Sequence, residues 1–296
     1  MIRTEKILFK YESTSRPVLR DISLKIEEGE YVTIMGANGC GKTTLIRHFN
    51  GLLSPWSGSV NVDGLSTSEP GALSEIRQRV GMVFQNPDSQ IVGMSVEEDV
   101  AFGPGNIGLP PHEILERVHN ALERVGIGGL LKRNPHTLSS GEKQLLAIAG
   151  ALAMRPRYLV LDEPTAYLDP SMTRQVLDVV RRLHNEEGIT VIHVTHDMDE
   201  IVGSQRVVVM NEGRIILDDS PTRVFNRVDI LRPLGLGIPK VTELMRHLRR
   251  MGTDVRPDIL TIDEACEEIL SLLDSQKKIA KPSAGCGSLF PDRPVE

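Results

Sequence analysis

Hydrophobic and polar positions alternate over the first 34 residues, as in "EKILFKY" and "EYVTIMG", with "EEG" between them as a turn. A period of two predicts short strands. Residues 34 to 50 read as a strand, a glycine loop and a helix. Over 112 to 125 the period lengthens: Ile114, Val118, Ala121, Leu122 and Val125 share one helical face, and Gly126 follows as a C-cap. "RYLVLDEP" and "ITVIHVTHD" are short continuous apolar runs that predict buried strands. Between them, 171 to 187 predicts a helix with Met172, Val176, Val179, Val180 and Leu183 inward, ended by Gly188. "RVVVMNEGRIILDD" predicts a hairpin turning at Glu212-Gly213. Strands that alternate with helices predict an α/β sheet. From about residue 222 the pattern changes: 241 to 251 and 263 to 273 predict two short helices. The tail from Ser275 is rich in Pro, Gly, Ser and Lys and reads as disordered. No internal repeat is visible.

Composition narrows the class. A chain of 296 residues can bury a sizeable core in one large domain or two modest ones. Charged residues at 25% and hydrophobic ones at 40% fit a soluble globular protein. A net charge of −6 argues against electrostatic coating of nucleic acid, so no nucleic-acid partner is expected. Cys40, Cys266 and Cys286 are too scattered for a metal pattern or a disulfide framework, which fits a reducing cytosol. The N-terminus lacks the apolar core of a signal peptide. No run approaches the roughly 18 apolar residues of a spanning helix, so work at a membrane would need another anchor.

The strongest chemical signal is "GANGCGKTT". Gly36, Gly41, Lys42 and Thr43 fit G-x-x-x-x-G-K-[ST], with a strand before the loop and a helix after it. Backbone N–H groups of such a loop cradle phosphates, so Asn38, Gly39, Cys40 and Thr44 count as nucleotide-binding with them. Lys42 reaches the β/γ-phosphates and the Thr43 hydroxyl binds Mg²⁺. Cys40 has two readings: a small tolerated side chain, or a reactive thiol whose pKa is lowered by Lys42 and the helix end.

A second stretch, "TLSSGEKQ", has an ordinary reading: Ser139-Ser140-Gly141-Glu142 forms a capping box that opens a helix. An exposed helix start is also an anion site. The stretch resembles the signature of ABC ATPases, written L-S-G-G-Q. Leu138, Ser139 and Gly141 match it, whereas Ser140 replaces the first Gly, Glu142 the Gln, and Leu145 the Arg of many members.

Further motifs of that family follow in order. "YLVLDEP" resembles Walker B, which implies that Asp162 holds Mg²⁺ and Glu163 polarises the attacking water. "TAYLD" resembles the D-loop, with Asp169 near a dimer seam. His196 in "VTHD" matches the switch histidine, Gln85 in "VFQNP" the Q-loop glutamine near Mg²⁺, and Tyr11 the aromatic that stacks on adenine. Singly each has a structural reading: a buried carboxylate pair, a capping histidine, a core or rim histidine at His193. The resemblance implies that the phosphate loop of one chain faces the signature of another, so that Ser139 and Gly141 serve the partner's ATP.

"VFQNPDSQIVGMSVEEDVAFGPGNIGLP" is similar to the energy-coupling factor (ECF) ATPases, including those of cobalt and nickel importers. In that family the region forms a groove for coupling helices of a membrane T component, which here would include Gln90, Val92, Val96 and Phe102; core residues of a helical lobe are the alternative. Residues 231 to 269 resemble the C-terminal extension that holds two ECF ATPases together, and Lys240, Arg246, Arg249 and Arg250 form a basic stripe, either a solvated face or a contact. The resemblance covers about residues 3 to 273.

It implies an α/β ABC ATPase core sheet with an antiparallel β subdomain over 1–221, an inserted helical lobe at about 86–155 and a helical extension at 222–274. The expected function is ATP hydrolysis, with ATP and Mg²⁺, at the cytoplasmic face of the membrane, powering uptake of a vitamin or a Co/Ni ion. Expected partners are a second ATPase chain, identical or paralogous, the T component and a substrate-binding S component. The alternative is a soluble ABC ATPase in nucleic-acid or ribonucleoprotein transactions.

Overall fold

The computed structural model describes residues 1–13 and 15–279, with side chains to residue 273. Strands β1 (Ile2–Phe9), β2 (Leu19–Ile26) and β3 (Tyr31–Gly36) lead into helix α1 (Lys42–Phe49). Strands β4 (Ser57–Val62) and β5 (Leu65–Ser66), helix α2 (Leu73–Arg79) and strand β6 (Val80–Val83) follow. Three helices come next: α3 (Val96–Asn106), α4 (Pro111–Val125) and α5 (Ser140–Ala153). The chain returns through β7 (Tyr158–Asp162), α6 (Pro170–Glu187), β8 (Thr190–Val194), α7 (Met198–Ile201), β9 (Arg206–Asn211) and β10 (Arg214–Asp219). It continues through α8 (Pro221–Asn226), α9 (Val228–Leu231), α10 (Lys240–Arg250) and α11 (Ile262–Ile279).

The strands form two sheets. The first, in the order β2-β1-β4-β5, is antiparallel. The second runs β10-β9-β3-β8-β7-β6 and is parallel except at the β9–β10 hairpin. A parallel sheet is covered on both faces, and its side chains alternate between two cores. Leu159, Leu161 and Val191 point into one, shared with α3 to α6. Tyr158, Val160, Val32, Ile34 and Ile192 point into the other, shared with α1 and the four-stranded sheet. This corrects the alternating reading of "EYVTIMG": all six residues of β3 are buried, because the strand is central.

Local chemistry explains the boundaries. On α4, Val118, Ala121, Leu122 and Val125 are the buried face, and Gly126 at φ 80° ends the helix. Gly188 at φ 69° ends α6 in the same way. At the β9–β10 turn Glu212 and Gly213 both take positive φ, 44° and 76°, as a two-residue type I′ hairpin requires. Ser95 caps α3 by accepting from the Glu98 N–H at 3.2 Å. Helix α11 runs to Ile279, so 275–279 continue it where disorder was expected. "SQKKI" contains no helix breaker, and the first proline beyond it is Pro282. The rest of the expected tail lies outside the described residues.

The chain divides into two compact units, Met1–Gly237 and Ile238–Glu296. Segment 222–237 lies in the first, where Val224, Phe225 and Leu231 are buried. In the second, α10 and α11 pack around Met245, Val255, Ile259 and Ala265, and the Thr242 hydroxyl donates to the Ile259 carbonyl at 2.6 Å. No helix among the described residues is long and apolar enough to cross a membrane.

Candidate functional site

The phosphate loop joins β3 to α1. Its first glycine has no room for a side chain: a Cβ at Gly36 would lie 2.3 Å from the Met210 carbonyl oxygen. Gly41 sits at φ 108°, and a Cβ there would meet Leu19 at 3.0 Å and the Val18 carbonyl at 3.1 Å. Gly41 is also the N-cap of α1 and offers no side-chain cap, so the first N–H groups of the helix stay available to an anion. Lys42 is buried, and its ammonium donates to the Gly36 carbonyl at 2.8 Å and the Ala37 carbonyl at 3.3 Å.

Cys40 is buried in the core below the loop. Burial pushes its thiol up, and the opposing pull of Lys42 and of backbone N–H groups is weaker. That corrects the reactive-thiol reading; Cys40 brings only its backbone to the loop.

Strands β7 and β8 deliver the carboxylates and the histidine. The Thr43 hydroxyl donates to Asp162 Oδ1 at 3.0 Å. Burial, chiefly, holds the Asp162 carboxyl above the usual carboxylate range; Thr43 opposes the shift and the neighbouring Glu163 adds to it. Glu163 takes φ 47°, a strained value for a residue with a side chain, and its N–H is tied to the Val194 carbonyl at 2.9 Å. Three groups converge on its carboxylate: Gln85 Nε2 donates to Oε2 at 3.2 Å, His196 Nδ1 lies 3.4 Å from Oε2, and Lys42 Nζ lies 3.9 Å from Oε1.

Tyr11, Asn38, Gly39, Gly41, Lys42, Thr43, Thr44, Gln85 and Glu163 line one cavity of about 500 Å³, within the usual size of a small-ligand site. The Tyr11 hydroxyl is 3.1 Å from the Thr44 hydroxyl, and its ring stands edge-on to Phe9. Thr43, Asp162 and Gln85 supply hydroxyl, carboxylate and amide oxygens, a hard donor set suited to Mg²⁺ shared with phosphate. Among the described residues no three His, Cys, Asp or Glu side chains form a metal cluster. A single protein carboxylate at this point fits an ion that takes its other ligands from phosphate and water.

The signature residues do not line this cavity. Ser139 and Glu142 form the capping box at the start of α5: the Ser139 N–H donates to Glu142 Oε2 at 2.7 Å, and the Glu142 N–H to Ser139 Oγ at 3.3 Å. The carboxylate that replaces the family glutamine is thus folded back on its own backbone. Gly141 is packed under α6, where a Cβ would fall 2.2 Å from Met172 Cε. Asp169 caps α6, accepting from Ser171 N–H at 2.8 Å and Met172 N–H at 3.2 Å. Gln85, Ser140, Gln144, Tyr167 and Leu168 instead share a smaller pocket of about 220 Å³.

The expected groove separates into different parts. Val92 and Phe102 are exposed at 59% and 55%, and Met94 at 75%. The loop that carries Val92 and Met94 is fastened to α3 by Asp99 Oδ1, which accepts the Val92 and Gly93 N–H groups at 2.7 and 2.9 Å. Val96 is fully buried in the lobe core and cannot line a groove. Gln90 is engaged within its own loop, accepting the Phe84 N–H at 3.1 Å and donating to the Phe84 and Asn86 carbonyls.

Sequence reasoning missed a buried polar cluster behind Glu163 and His196. Glu200 accepts from the hydroxyls of Thr165 and Thr195, and His193 is fully buried beside it. The only sequence signal is a carboxylate four residues beyond His196, next to the apolar Ile201 on a short helix.

Known proteins resemble this chain over most of its length. The family model described as "ABC transporter" matches residues 19–166. The chain is 52% identical over 269 residues to a "Cobalt import ATP-binding protein CbiO" of Syntrophus aciditrophicus, covering 91% of this chain and 96% of that one. It is 51% identical over 272 residues to an "Energy-coupling factor transporter ATP-binding protein EcfA1" of Caldanaerobacter subterraneus, covering 91% and 98%. Among solved structures, CbiO1 of Clostridium perfringens, described as part of the ABC transporter complex CbiONQ, superposes with a TM-score of 0.71 at 40% identity over 83% of this chain and 98% of that one. The cassette MJ0796, solved as a dimer in a post-hydrolysis state with ADP and Pi, gives 0.68 at 28% identity over 74% and 98%.

Proposed function

Because the chain belongs to the ATP-binding subunits of ECF-type ABC transporters, we propose that it hydrolyses ATP between two ATPase chains on the cytoplasmic face of a membrane and so powers import of a vitamin or a Co/Ni ion. The observation that carries this reading is the convergence of Lys42, Gln85 and His196 on Glu163 at the edge of the phosphate-loop cavity. A structural carboxylate needs no such set of partners, whereas a general base facing the γ-phosphate does.

Each residue then has a task. Tyr11 stacks on the adenine. The backbone of 36–44 and the start of α1 hold the phosphates, and the Lys42 ammonium moves from its loop carbonyls to the β/γ-oxygens. Thr43, Asp162 and Gln85 would hold Mg²⁺, which would neutralise charge on the phosphates. Glu163 accepts a hydrogen bond from the attacking water and orients it in line with the γ-phosphorus. His196 holds a γ-phosphate oxygen as charge develops there. Ser139 and Gly141 of a second chain close the site, with Asp169 at the seam. In this chain the Ser139 hydroxyl oxygen accepts the Glu142 N–H at 3.3 Å.

Val92, Met94 and Phe102 are exposed apolar side chains suited to contact with a helix of a T component, with an S component completing the importer. The basic residues on α10 remain a solvated face or a partner contact; Arg249 is paired with Asp254.

Glu163→Gln tests the ATPase reading. With ATP and Mg²⁺ the variant should elute as a dimer in size-exclusion chromatography and turn over at least about 10²-fold more slowly. Unchanged turnover would remove Glu163 from the reaction.

A further inference from the structure

Behind the site lies a charge that the mechanism above does not use. Glu200, on α7, is 5% exposed. Thr165 Oγ1 donates to its Oε1 at 2.5 Å and Thr195 Oγ1 to its Oε2 at 2.6 Å. His193 Nε2 lies 3.4 Å from Oε2, within reach of charge attraction although not aligned as a hydrogen bond, and the Tyr31 hydroxyl meets the other ring nitrogen at 3.3 Å. Burial would push the Glu200 carboxyl up, but His193 and the two threonines outweigh it and hold the group below the usual carboxylate range. A buried carboxylate gives less stability than an apolar residue of similar size, so a core alone gives no reason for it.

What the carboxylate joins supplies a reason. Thr165 sits two residues after Glu163, in the run of turns that leads to Asp169: the Ala166 N–H donates to the Glu163 carbonyl at 3.3 Å and the Leu168 N–H to the Thr165 carbonyl at 3.0 Å. Thr195 immediately precedes His196, and its hydroxyl also accepts the Asp197 N–H at 3.0 Å. His196 itself is 56% exposed, so little packing fixes its ring. Within this chain, then, one carboxylate bridges the segment that carries Glu163 and Asp169 to the segment that carries His196.

We propose that Glu200 is a positioning residue, which locks the Glu163–Asp169 loop to the His196 loop so that the water-orienting carboxylate and the γ-phosphate histidine keep one geometry during the reaction. The proposal rests on the ATPase reading. It separates catalysis from binding, because Glu200 is not among the residues that line the phosphate-loop cavity. Misplacing a reacting group by an ångström lowers the rate without weakening ground-state contacts.

The test uses the full chain in its complete detergent-purified assembly, with Thr165→Val, Glu200→Ala and their combination. Thr165→Val is close to isosteric and removes only the hydroxyl; Thr165→Ser restores it. ATP affinity, measured by titration with a fluorescent ATP analogue, also counts the folded, binding-competent chains to which kcat is normalised. Thr165→Val should lower kcat about tenfold to a hundredfold with KM and analogue affinity within about twofold. Thr165→Ser should recover most of the rate, and adding Thr165→Val to Glu200→Ala should cost little more. Wild-type kcat per binding-competent chain in both single variants would overturn the proposal, leaving the ATPase reading intact. Independent, additive losses would also overturn it. An inactive wild-type assembly would overturn the ATPase reading, and the proposal with it.

Discussion

Thr43 and Asp162 stand 119 positions apart in sequence and meet at 3.0 Å. Their hydrogen bond joins the phosphate loop to the end of β7, and both residues are proposed to hold Mg²⁺. Asp162→Asn should keep this contact through the amide oxygen while losing the charge. Turnover should fall by about 10²-fold or more, and ATP affinity should become nearly independent of Mg²⁺. Isothermal titration with and without Mg²⁺ checks it; a Mg²⁺ effect of wild-type size would remove Asp162 from the ion site.

Gly141 shows why one signature residue is small even within a single chain. Its missing Cβ is replaced by Met172, whose Cε would come within 2.2 Å. Gly141→Ala should destabilise the chain by about 1–3 kcal/mol through overpacking. Met172→Ala should recover part of that in the double variant, because a flexible side chain is the obstacle. Denaturant melts of the four chains give the coupling; strict additivity would show that α5 and α6 do not meet there.

Glu142 departs from the family glutamine, and its place in the capping box gives a pH signature. The Ser139 N–H, first, and the Ser139 hydroxyl hold its carboxyl below the usual range. A depressed folded-state pKa contributes stability that is fully present above the unfolded value of about 4.3 and is lost as pH falls through the lower folded value. Glu142→Gln retains the box, since an amide oxygen accepts the same N–H, and should flatten this part of the acid limb in thermal melts. It should also tighten the ATP-bound dimer by removing a negative charge beside the partner's phosphate. A dimer no tighter than wild type would show that the carboxylate stays folded away from the seam.

The exposed apolar side chains give a prediction at the membrane. Phe102→Asp should leave ATP affinity and folding unchanged, since the ring is 55% exposed, while releasing the chain from washed membranes in a sedimentation assay. Val96→Asp should instead unfold the lobe, because Val96 is buried in its core. Retention of Phe102→Asp at wild-type levels would exclude Phe102 from the docking surface.

Much of this molecule is legible in the chain because local patterns carry it. The run "YLVLD" is apolar because β7 is covered on both faces, the spacing of Val118 to Val125 turns one face of α4 inward, and Glu212-Gly213 takes the two positive φ values of its hairpin. The phosphate loop was equally plain, since glycine is forced where Met210 and Val18 crowd the backbone. Long-range arrangements were not legible. Nothing in a linear pattern orders the sheet β2-β1-β4-β5, or tells that Val96 faces a core while Phe102 faces solvent on the same helix. Glu200 reads as an ordinary surface carboxylate because its two hydroxyl partners lie 35 and 5 residues away, on different loops. Cys40 was ambiguous for the same reason: its pKa depends on what packs beneath the loop, which the neighbouring Lys42 does not reveal.

The most direct test of the central claim is affinity purification of the full chain from detergent-solubilised native membranes, with identification of the proteins that come with it. The expected result is a second ATPase chain, identical or paralogous, together with a multi-spanning membrane protein and a small membrane binding subunit. A chain that stays in the soluble fraction and brings down no membrane protein would contradict the importer reading and favour a soluble ABC ATPase instead.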